Sequence, residues 1–388
     1  MAAAAARRLG ARIRAGLVIA PDTAAVPDGF ELIVGGHPLP TAASEAAGRR
    51  ALALAASVSG DEMLLALISG GASALMAVPA EGITLADKRA ATQQLLRAGA
   101  DIHALNTLRK HVSAVKGGWL AARSRGACLA LAISDVVGDD VSVIASGPTV
   151  ADTSTFQDAL DVVRGFGGDT AFPAAIVARL ERGVAGAIDE TPKPGDPRIA
   201  RATTEVIGSR RDAMAGAARA ASALGYQVVQ TDDPVVGEAR TTAAAYVRDA
   251  IARAAGLSRP VCIVSSGETT VHVTGRGRGG RNQEFALAAA LVLARDASAR
   301  DGSDVADRST ACDAIVASVG TDGVDGPTDA AGALADRTTA ARARAANLDA
   351  ESFLLDNNAY AFFDALGDLI HTGPTGTNVG DLQVILLA

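Results

Sequence analysis

Short apolar runs recur along the chain, and each ends in a stretch of small and polar residues. Clear examples are Met63–Ile68, Cys128–Ile133, Cys262–Val264 and Ala314–Val319. Runs of this kind, without alternation between apolar and polar positions, are typical of strands buried on both faces of a parallel sheet. Alanine-rich or amphipathic stretches such as Ala42–Ser57 lie between them and predict helices. The order of strands and helices therefore predicts an α/β protein.

Loops of similar composition follow four of the core strands, two in each half of the chain. They are SGGAS (69–73), SDVVGDD (134–140), SSGETT (265–270) and GTDGVDGP (320–327). Between the halves, residues 189–198 (DETPKPGDPR) combine three prolines with alternating charges, which suits a linker. We therefore expect an N-terminal domain of residues 1–190 and a C-terminal domain of residues 199–388. Both are predicted to be three-layer α/β domains with largely parallel sheets, facing a cleft between them.

The composition narrows the classes of function. Apolar residues make up 49% of the 388 residues but aromatic residues only 3%, so the cores must be built mainly from Ala, Val, Leu and Ile. The 43 acidic residues outnumber the 36 Lys and Arg and give a formal charge of −7, which argues against binding to nucleic acid or anionic membranes. No apolar run is long enough to span a membrane. The three cysteines have no C-x-x-C spacing, so we expect buried thiols in a reducing, cytoplasmic environment.

A glycine- and arginine-rich stretch in the second half is the strongest candidate for a binding loop. Residues 275–284 (GRGRGGRNQE) follow an alternating, strand-like run, Thr269–Thr274, and lead into an apolar segment that predicts a buried helix. Backbone amides at a helix N-terminus, together with Arg276, Arg278 and Arg281, would suit an anion such as phosphate. The alternative is a surface hairpin with solvated arginines.

Two regions of the first half offer further candidates. The SGGAS loop follows a core strand and precedes a helix, an arrangement that presents backbone amides to an anion at the carboxyl edge of a sheet. Asp135 and Asp139 follow the next core strand, where carboxylates are positioned for Mg²⁺ or for a hydroxyl group. Arg109 and Lys116 belong to a polar stripe on a predicted helix, and the stripe is either a solvated face or a substrate contact.

These residues favour phosphoryl transfer, which depends mainly on positioning and charge neutralisation. The sequence has no G-x-x-x-x-G-K-[ST] motif, and SGGAS does not match the G-x-S-x-G motif of serine hydrolases. Gly275, Gly277 and Gly280 formally match G-x-G-x-x-G and raise an NAD(P)H-dependent enzyme as a rival. The match is weak, because no acidic residue ends a second strand about 20 residues later.

Several long motifs together resemble the ATP-dependent glycerate 2-kinases. They are SGGASALM, ADIHALNTLRKHVSAVKGG, ISDVVGDDVSVIASGPT, SSGETT, GRGGRNQEFAL, GTDGVDGPTDAAGA and TGPTGTNVGD. The resemblance covers essentially the whole chain, and some proteins of this family carry the label hydroxypyruvate reductase. It implies a Rossmann-like N-terminal domain, a C-terminal domain with a MOFRL region, and transfer of the γ-phosphoryl group of ATP to the 2-hydroxyl of D-glycerate with Mg²⁺. It also implies a monomer or homodimer with small-molecule ligands only.

The resemblance assigns roles to individual residues. Asp135 would orient or deprotonate the hydroxyl group, Arg281 would neutralise the transferred group, and Lys116 would join them as a catalytic residue. Asp322 would hold the metal ion. Residues expected to bind substrate or nucleotide are Ser69, Gly70, Gly71, Ala72, Ser73, Arg109, Asp139, Glu268, Thr269, Gly279, Gly280, Asn282, Gln283, Glu284, Asp322 and Asp325. Replacing Arg281 with Ala is expected to abolish turnover with little loss of stability.

The chain departs from the family pattern at two places. Gly380 stands where the pattern has Asn. Proteins of this family also have a strand and a G-x-G-K-A-like loop before the first alanine-rich helix, and the lysine of that loop is an expected phosphate ligand. This chain starts at the Met of that helix. Two interpretations stay open, an upstream start codon or a non-catalytic protein that binds glycerate-like anions.

Overall fold

The computed structural model describes residues 1–300 and 313–388, without the side chains of residues 296–300. The chain divides into two compact units, Met1–Ile207 and Gly208–Ala388. This division falls beyond the predicted linker, because the strand that follows the linker adjoins a strand of the first unit. The domain limits drawn from the sequence stay predictions.

The sheets of the first unit are built from short strands. They are β1 (Gly16–Ala20), β2 (Phe30–Val34), β3 (Met63–Ile68), β4 (Ala127–Ile133) and β5 (Ala202–Gly208). The helices are α1 (Ala2–Leu9), α2 (Ala42–Ala56), α3 (Ala72–Leu75), α4 (Leu85–Arg97), α5 (Ile102–His111), α6 (Trp119–Ala122), α7 (Phe156–Gly165) and α8 (Ala174–Val184). β1 pairs in parallel with β2, and β3 pairs in parallel with β4, which adjoins β5. The loops that follow β3 and β4 therefore leave the sheet at the same edge.

A cluster of helices packs beside these strands. α4, α5, α7 and α8 bury a shared apolar core that includes Leu95, Leu108, Phe156 and Ile176. A capping box begins α4, since the Thr84 hydroxyl accepts from the Asp87 amide while the Asp87 carboxylate accepts from the Thr84 amide.

The second unit contains one large sheet with helices on both faces. Its strands are β6 (Gln227–Gln230), β7 (Val235–Glu238), β8 (Val261–Thr270), β9 (Ala314–Gly320), β10 (Gly332–Asp336), β11 (Leu369–Ile370) and β12 (Asp381–Leu387). Its helices are α9 (Arg210–Ala223), α10 (Ala239–Arg253), α11 (Arg281–Arg300), α12 (Thr339–Ala345), α13 (Ala350–Leu355) and α14 (Ala359–Leu366). Val261 and Ile263 of β8 pack against α10 and α11, whereas Cys262 and Val264 pack against α9. The predicted α/β class with layered helices is confirmed.

The last strand of the sequence occupies the middle of this sheet. The order of strands is β11-β10-β9-β12-β8-β6, and β7 also pairs with β8. β12 runs antiparallel to both β8 and β9, whereas β6 and β7 run parallel to β8. The predicted strand over Thr269–Thr274 is wrong beyond Thr270, where β8 ends. α11 extends to Arg300, and Cys312 lies outside the described residues.

A glycine in α8 allows this helix to pack closely on α7. A Cβ atom on Gly183 would lie 2.1 Å from the ring of Phe156, a wholly buried side chain. We expect Gly183→Ala to lower the free energy of unfolding by about 1–3 kcal/mol, because a packed core does not accept an extra methyl group. Gly165→Ala in α7 is the matched control, since nothing lies within 4 Å of its Cβ position. Urea unfolding of both variants checks this, and equal stability of the two would contradict the packing described here.

Candidate functional site

In the first unit, the SGGAS loop is tied to a buried lysine. Lys116 Nζ donates to the Ser73 carbonyl and hydroxyl oxygens, both at 2.8 Å, and lies 3.4 Å from the Ala145 carbonyl oxygen. Burial first, and then the charges of Lys88 and Arg109, hold the pKa of Lys116 well below its usual value. The structure thus brings together the predicted residues Ser73, Lys116 and Arg109. Ser69, Gly70, Gly71 and Ala72 complete the turn between β3 and α3.

A strained turn packs against this loop. Ala145, Ser146 and Gly147 have positive φ angles of 53°, 61° and 61°, which non-glycine residues rarely adopt. Ser146 Oγ lies 3.0 Å from Ser73 Oγ and donates to the side-chain oxygen of Asn106 at 2.9 Å. Backbone strain of this kind persists where the surroundings over-determine it, and it is concentrated at functional sites.

The predicted carboxylates follow β4 at the same sheet edge. Asp135 is half-buried two residues after the strand ends. Asp139 has a positive φ of 55°, and its Oδ1 atom is shielded from solvent without a partner in the described residues. Because β3 and β4 are parallel neighbours, these carboxylates leave the sheet beside the SGGAS loop. The structure therefore supports the grouping of these residues in one site, and their roles stay predictions.

In the second unit, the glycine-rich loop is held by a distant segment of the chain. The amides of Thr274 and Gly275 donate to Asn357 Oδ1, both at 2.9 Å. The remaining loop contacts go to the residues beside Asn357: Arg276 N to Asp356 Oδ1, Gly277 N to the Asp356 carbonyl, and Arg278 N to Asn358 Oδ1. The amides of residues 274–278 therefore already have acceptors within the protein, and phosphate binding by the loop stays a prediction.

The start of α11 is capped by a carboxylate from another loop. Asp325 Oδ1 accepts from Asn282 N at 3.0 Å, and Asp325 Oδ2 accepts from Gln283 N at 2.8 Å. Burial raises the pKa of Asp325 to about 6, although these amides favour its charged form. These two helix amides therefore already have an acceptor that the protein itself supplies. Asp325 caps α11, and the ligand-binding roles expected of Asp325, Asn282 and Gln283 stay predictions.

Arg281 bridges two carboxylates at the ends of neighbouring strands. Arg281 NH1 lies 2.7 Å from Glu268 Oε1, and Arg281 Nε lies 2.8 Å from Oδ2 of Asp381, whose side chain is wholly buried. Burial opposes the charge of the guanidinium, but Asp381 and then Glu268 raise the pKa of Arg281 overall. Removing Arg281 would leave Asp381 buried without a counter-ion. The structure therefore predicts a larger loss of stability for Arg281→Ala than the sequence did.

The other predicted residues of this region are mostly buried. Glu284 accepts from Arg240 Nε and from Asn357 Nδ2, both at 2.9 Å, so its carboxylate holds the loop rather than a ligand. Asn282 and Gln283 are also buried, and Gln283 donates to Thr328. Buried or loop residues that complete the predicted set are Thr269, Gly279 and Gly280. A Cβ atom on Gly280 would lie 2.3 Å from the Asp325 carboxyl carbon, so this close approach requires glycine.

Asp322 is the residue of this unit that was predicted to hold the metal ion. It lies after β9, is half-buried, and its Oδ1 accepts from Val324 N at 3.0 Å. Across the described ranges, no three His, Cys, Asp or Glu side chains form a group that could hold a metal ion. Every helix within the same ranges is too short or too polar to cross a membrane.

Both units resemble known proteins along their length. Residues 1–181 match the family described as a domain of unknown function (DUF4147), and residues 261–381 match the MOFRL family. The chain is 37% identical over 362 residues to the glycerate 2-kinase of Pyrococcus horikoshii, a match that covers 92% of the chain and 78% of that protein. The crystal structure of a glycerate kinase from Thermotoga maritima superimposes with a TM-score of 0.85 at 36% identity, covering 100% of this chain and 88% of that one. The chain belongs to the glycerate kinase family.

Membership of the glycerate kinase family confirms the resemblance stated from the motifs and makes the chain a kinase. A putative hydroxypyruvate reductase of Agrobacterium vitis is 40% identical over 380 residues, covering 96% of this chain and 81% of that protein. The structure adds nothing in favour of the reductase interpretation, because the glycine-rich loop that formally matched a dinucleotide fingerprint has its amides occupied by Asp356, Asn357 and Asn358.

Four residues that lie beside the candidate residues of the first or the second unit were missed from the sequence. Lys88 and Asp381 are buried charges, and the signal for Asp381 is a carboxylate that opens an apolar strand. Asn357 and Asp356 lie about 80 positions from the loop that they hold, so local patterns cannot pair them. The signal for this segment was a pair of adjacent asparagines before a helix. Asn357 has a positive φ angle of 53°, a conformation that asparagine tolerates.

We expect Asp325→Ala to destabilise the start of α11. The substitution leaves the amides of Asn282 and Gln283 buried without an acceptor, and each such group costs about 1–3 kcal/mol. Asp329→Ala in the same loop is the control, because Asp329 is exposed and its recorded side-chain bond goes to the Tyr360 hydroxyl. Hydrogen exchange at residues 282 and 283 measures the effect. Unchanged protection in Asp325→Ala would contradict the capping role.

Proposed function

We propose that this kinase transfers the γ-phosphoryl group of ATP to the 2-hydroxyl of D-glycerate and produces 2-phosphoglycerate. The observation that carries the proposal is the similarity, at 37% identity over 362 residues, to a protein named glycerate 2-kinase. The geometry supports it, because each unit offers charged side chains at strand ends and phosphoryl transfer requires positioning and charge neutralisation.

The first unit contributes the group that acts on the acceptor. Asp135 orients or deprotonates the glycerate hydroxyl, from the same sheet edge as the SGGAS loop. Lys116 fixes that loop through Ser73 and adds positive charge beside it. Asp139, with an unpartnered oxygen in the described residues, supports this grouping because buried carboxylates ordinarily have partners.

In the second unit, Arg281 and Asp322 are the residues that the resemblance assigns to the transferred group and the metal ion. Arg281 presents a guanidinium that is about one-third exposed, while Glu268 and Asp381 fix its orientation. Asp322 would hold Mg²⁺, and a single protein carboxylate suits a Mg²⁺ ion that is bound mostly by nucleotide phosphates and water. The ion would neutralise charge on the phosphate oxygens.

The proposal includes a cytoplasmic enzyme with small-molecule ligands, acting as a monomer or homodimer. The buried thiols of Cys128 and Cys262 suit a reducing compartment. Burial raises the pKa of the Cys128 thiol to about 11, so this cysteine is inert rather than a nucleophile.

We expect the purified chain to convert ATP to ADP when D-glycerate and Mg²⁺ are both present. A coupled assay for ADP, with identification of the phosphorylated product by NMR, measures the reaction and the position of the phosphate. Omission of glycerate is the control. Oxidation of NADH by hydroxypyruvate without ATP turnover would contradict the proposal, and so would binding of glycerate without any turnover.

We expect Arg281→Ala to lower turnover by about 10²–10³-fold, because one charge partner of the transition state is lost. The free energy of unfolding of Arg281→Ala should also fall by about 2–3 kcal/mol. This loss is smaller than for a fully buried ion pair, because Arg281 is partly exposed. Arg276→Ala is the matched control from the same loop, with an exposed side chain. Arg281→Lys keeps a positive charge near Asp381 and should recover stability more than turnover. Recovery of both to the same extent would mean that Arg281 is structural.

A further inference from the structure

Lys88 is a buried cation that the proposed mechanism does not use. The residue lies on α4 with 6% of its surface exposed. The hydrogen bond that the structure records for its ammonium group goes to the Val78 carbonyl oxygen at 3.3 Å. An ammonium group has three donors, and a buried charge ordinarily has a carboxylate or several acceptors around it. Lys88 has one long contact to a neutral oxygen.

Lys88 and Lys116 approach the same short segment of the chain. The Val78 carbonyl that accepts from Lys88 also accepts from Ser113 Oγ at 3.1 Å. Ser113 Oγ in turn accepts from the backbone amide of Lys116 at 3.4 Å. Lys116 is 2% exposed, and its acceptors are neutral carbonyl and hydroxyl oxygens of Ser73 and Ala145. Neither lysine has a carboxylate as a recorded hydrogen-bond partner.

Arg109 lies one turn before Ser113 on the same polar stripe. Its guanidinium is half-buried and, in the described part of the chain, makes no hydrogen bond or ion pair. Burial alone lowers the pKa of Arg109, with no carboxylate to offset it. Arginine presents five donors in a fixed fork that matches a carboxylate or phosphate group. The half-buried guanidinium of Arg109, which has no partner among the described residues, can therefore donate hydrogen bonds to a ligand.

Neighbouring charged side chains also affect the pKa of Lys88. Burial, followed by the positive charges of Arg109 and Arg179, lowers the pKa of Lys88 to about 7. Glu45 opposes this shift, but its carboxylate is engaged by Arg49 at 2.6 Å. Arg179 is itself held by the carbonyl oxygens of His111 and Glu81.

A third buried lysine of the same unit shows the usual arrangement. Lys110 Nζ lies 3.1 Å from Oδ1 of Asp152, whose side chain is wholly buried. The fold therefore pairs a lysine with a carboxylate where the lysine serves the structure. Among the described residues, Lys88, Arg109 and Lys116 have no carboxylate as a partner. Unpaired like charges ordinarily destabilise a protein.

We propose that Lys88, Arg109 and Lys116 form an anion-binding cluster in the first unit that takes a phosphate group, with Lys88 as a direct ligand. A phosphate carries up to two negative charges and three oxygens, which matches several cations better than a singly charged carboxylate does. The cluster lies beside Ser73, so the phosphate would sit at the SGGAS loop. This inference rests on the proposed function for the source of the phosphate, a nucleotide or a phosphorylated product, but binding is testable without turnover.

Lys88→Met is the variant that tests the cluster, because methionine keeps most of the side-chain length without the charge. Arg89→Met on the same helix is the control, since Arg89 is exposed. Calorimetric titration with inorganic phosphate, ATP and D-glycerate is run on wild type and both variants at pH 7. We expect phosphate to bind Lys88→Met at least about thirtyfold more weakly than wild type. Arg89→Met should bind like wild type.

A measurement of stability separates this role from a structural one. In the unliganded protein the pKa of Lys88 is about 7, whereas in an unfolded chain it is 10.5. Between these two pH values the unfolded state therefore binds more protons than the folded state. Wild type should therefore gain stability relative to Lys88→Met as the pH rises from 7 to 10. At pH 7 without phosphate, the melting temperature of Lys88→Met should equal or exceed that of wild type.

Each outcome of these measurements either supports or overturns the proposed cluster, or identifies the source of the phosphate. Weaker phosphate binding in a Lys88→Met protein that is no less stable supports the cluster, even if the chain shows no kinase activity. A Lys88→Met protein that is less stable at every pH and binds phosphate normally would overturn it. Binding of D-glycerate that depends on Lys88, with no binding of phosphate or ATP, would overturn the assignment to a phosphate group. ATP binding that depends on Lys88 places a nucleotide phosphate there, and dependence confined to inorganic phosphate assigns the site to the phosphorylated product.

Discussion

Two carboxylates lie buried close together in the second unit because one amide side chain lies between them. Asn282 Nδ2 donates to Oδ1 of Asp325 at 3.2 Å and to Oδ1 of Asp381 at 3.0 Å. Burial raises the pKa of both carboxylates, so each needs donors to stay charged. Asp325 obtains them from the start of α11, and Asp381 obtains them from Arg281. The position of the arginine, the first turn of the helix and the close approach at Gly280 all depend on this arrangement.

Buried charges in this kinase are stabilised in more than one way. In the second unit, Arg240 meets Glu284 and Arg281 meets Asp381, whereas Asp325 accepts from backbone amides and from the Asn282 side chain. In the first unit, Lys88 and Lys116 lie among neutral oxygens. The apolar cluster of α4, α5, α7 and α8 supplies the stability that allows such an arrangement to persist. Local frustration of this kind is expected where a protein keeps a site ready for a ligand.

The sequence was sufficient for the elements but not for their contacts. Apolar runs such as Met63–Ile68 and Ala314–Val319 became β3 and β9, because burial on both faces leaves a continuous apolar pattern. The Asp135 loop and the SGGAS loop were placed together correctly, since parallel pairing alone brings them to one edge. The contacts of the glycine-rich loop were not predicted. Its glycines are required by the close approach of Asp356 and Asn358, whereas the sequence assigned them to a ligand. Partners so distant in the sequence leave no local pattern.

The place of β12 has a consequence for how the protein is made. Residues 381–387 are hydrogen bonded on one side to β8 and on the other to β9. β6, β7 and β8 form one portion of the sheet and β9, β10 and β11 the other, and β12 is the strand that joins them. In the sequence these residues come after the other described strands of the unit. The two portions of the sheet are therefore joined only after β12 has been synthesised and has entered between β8 and β9.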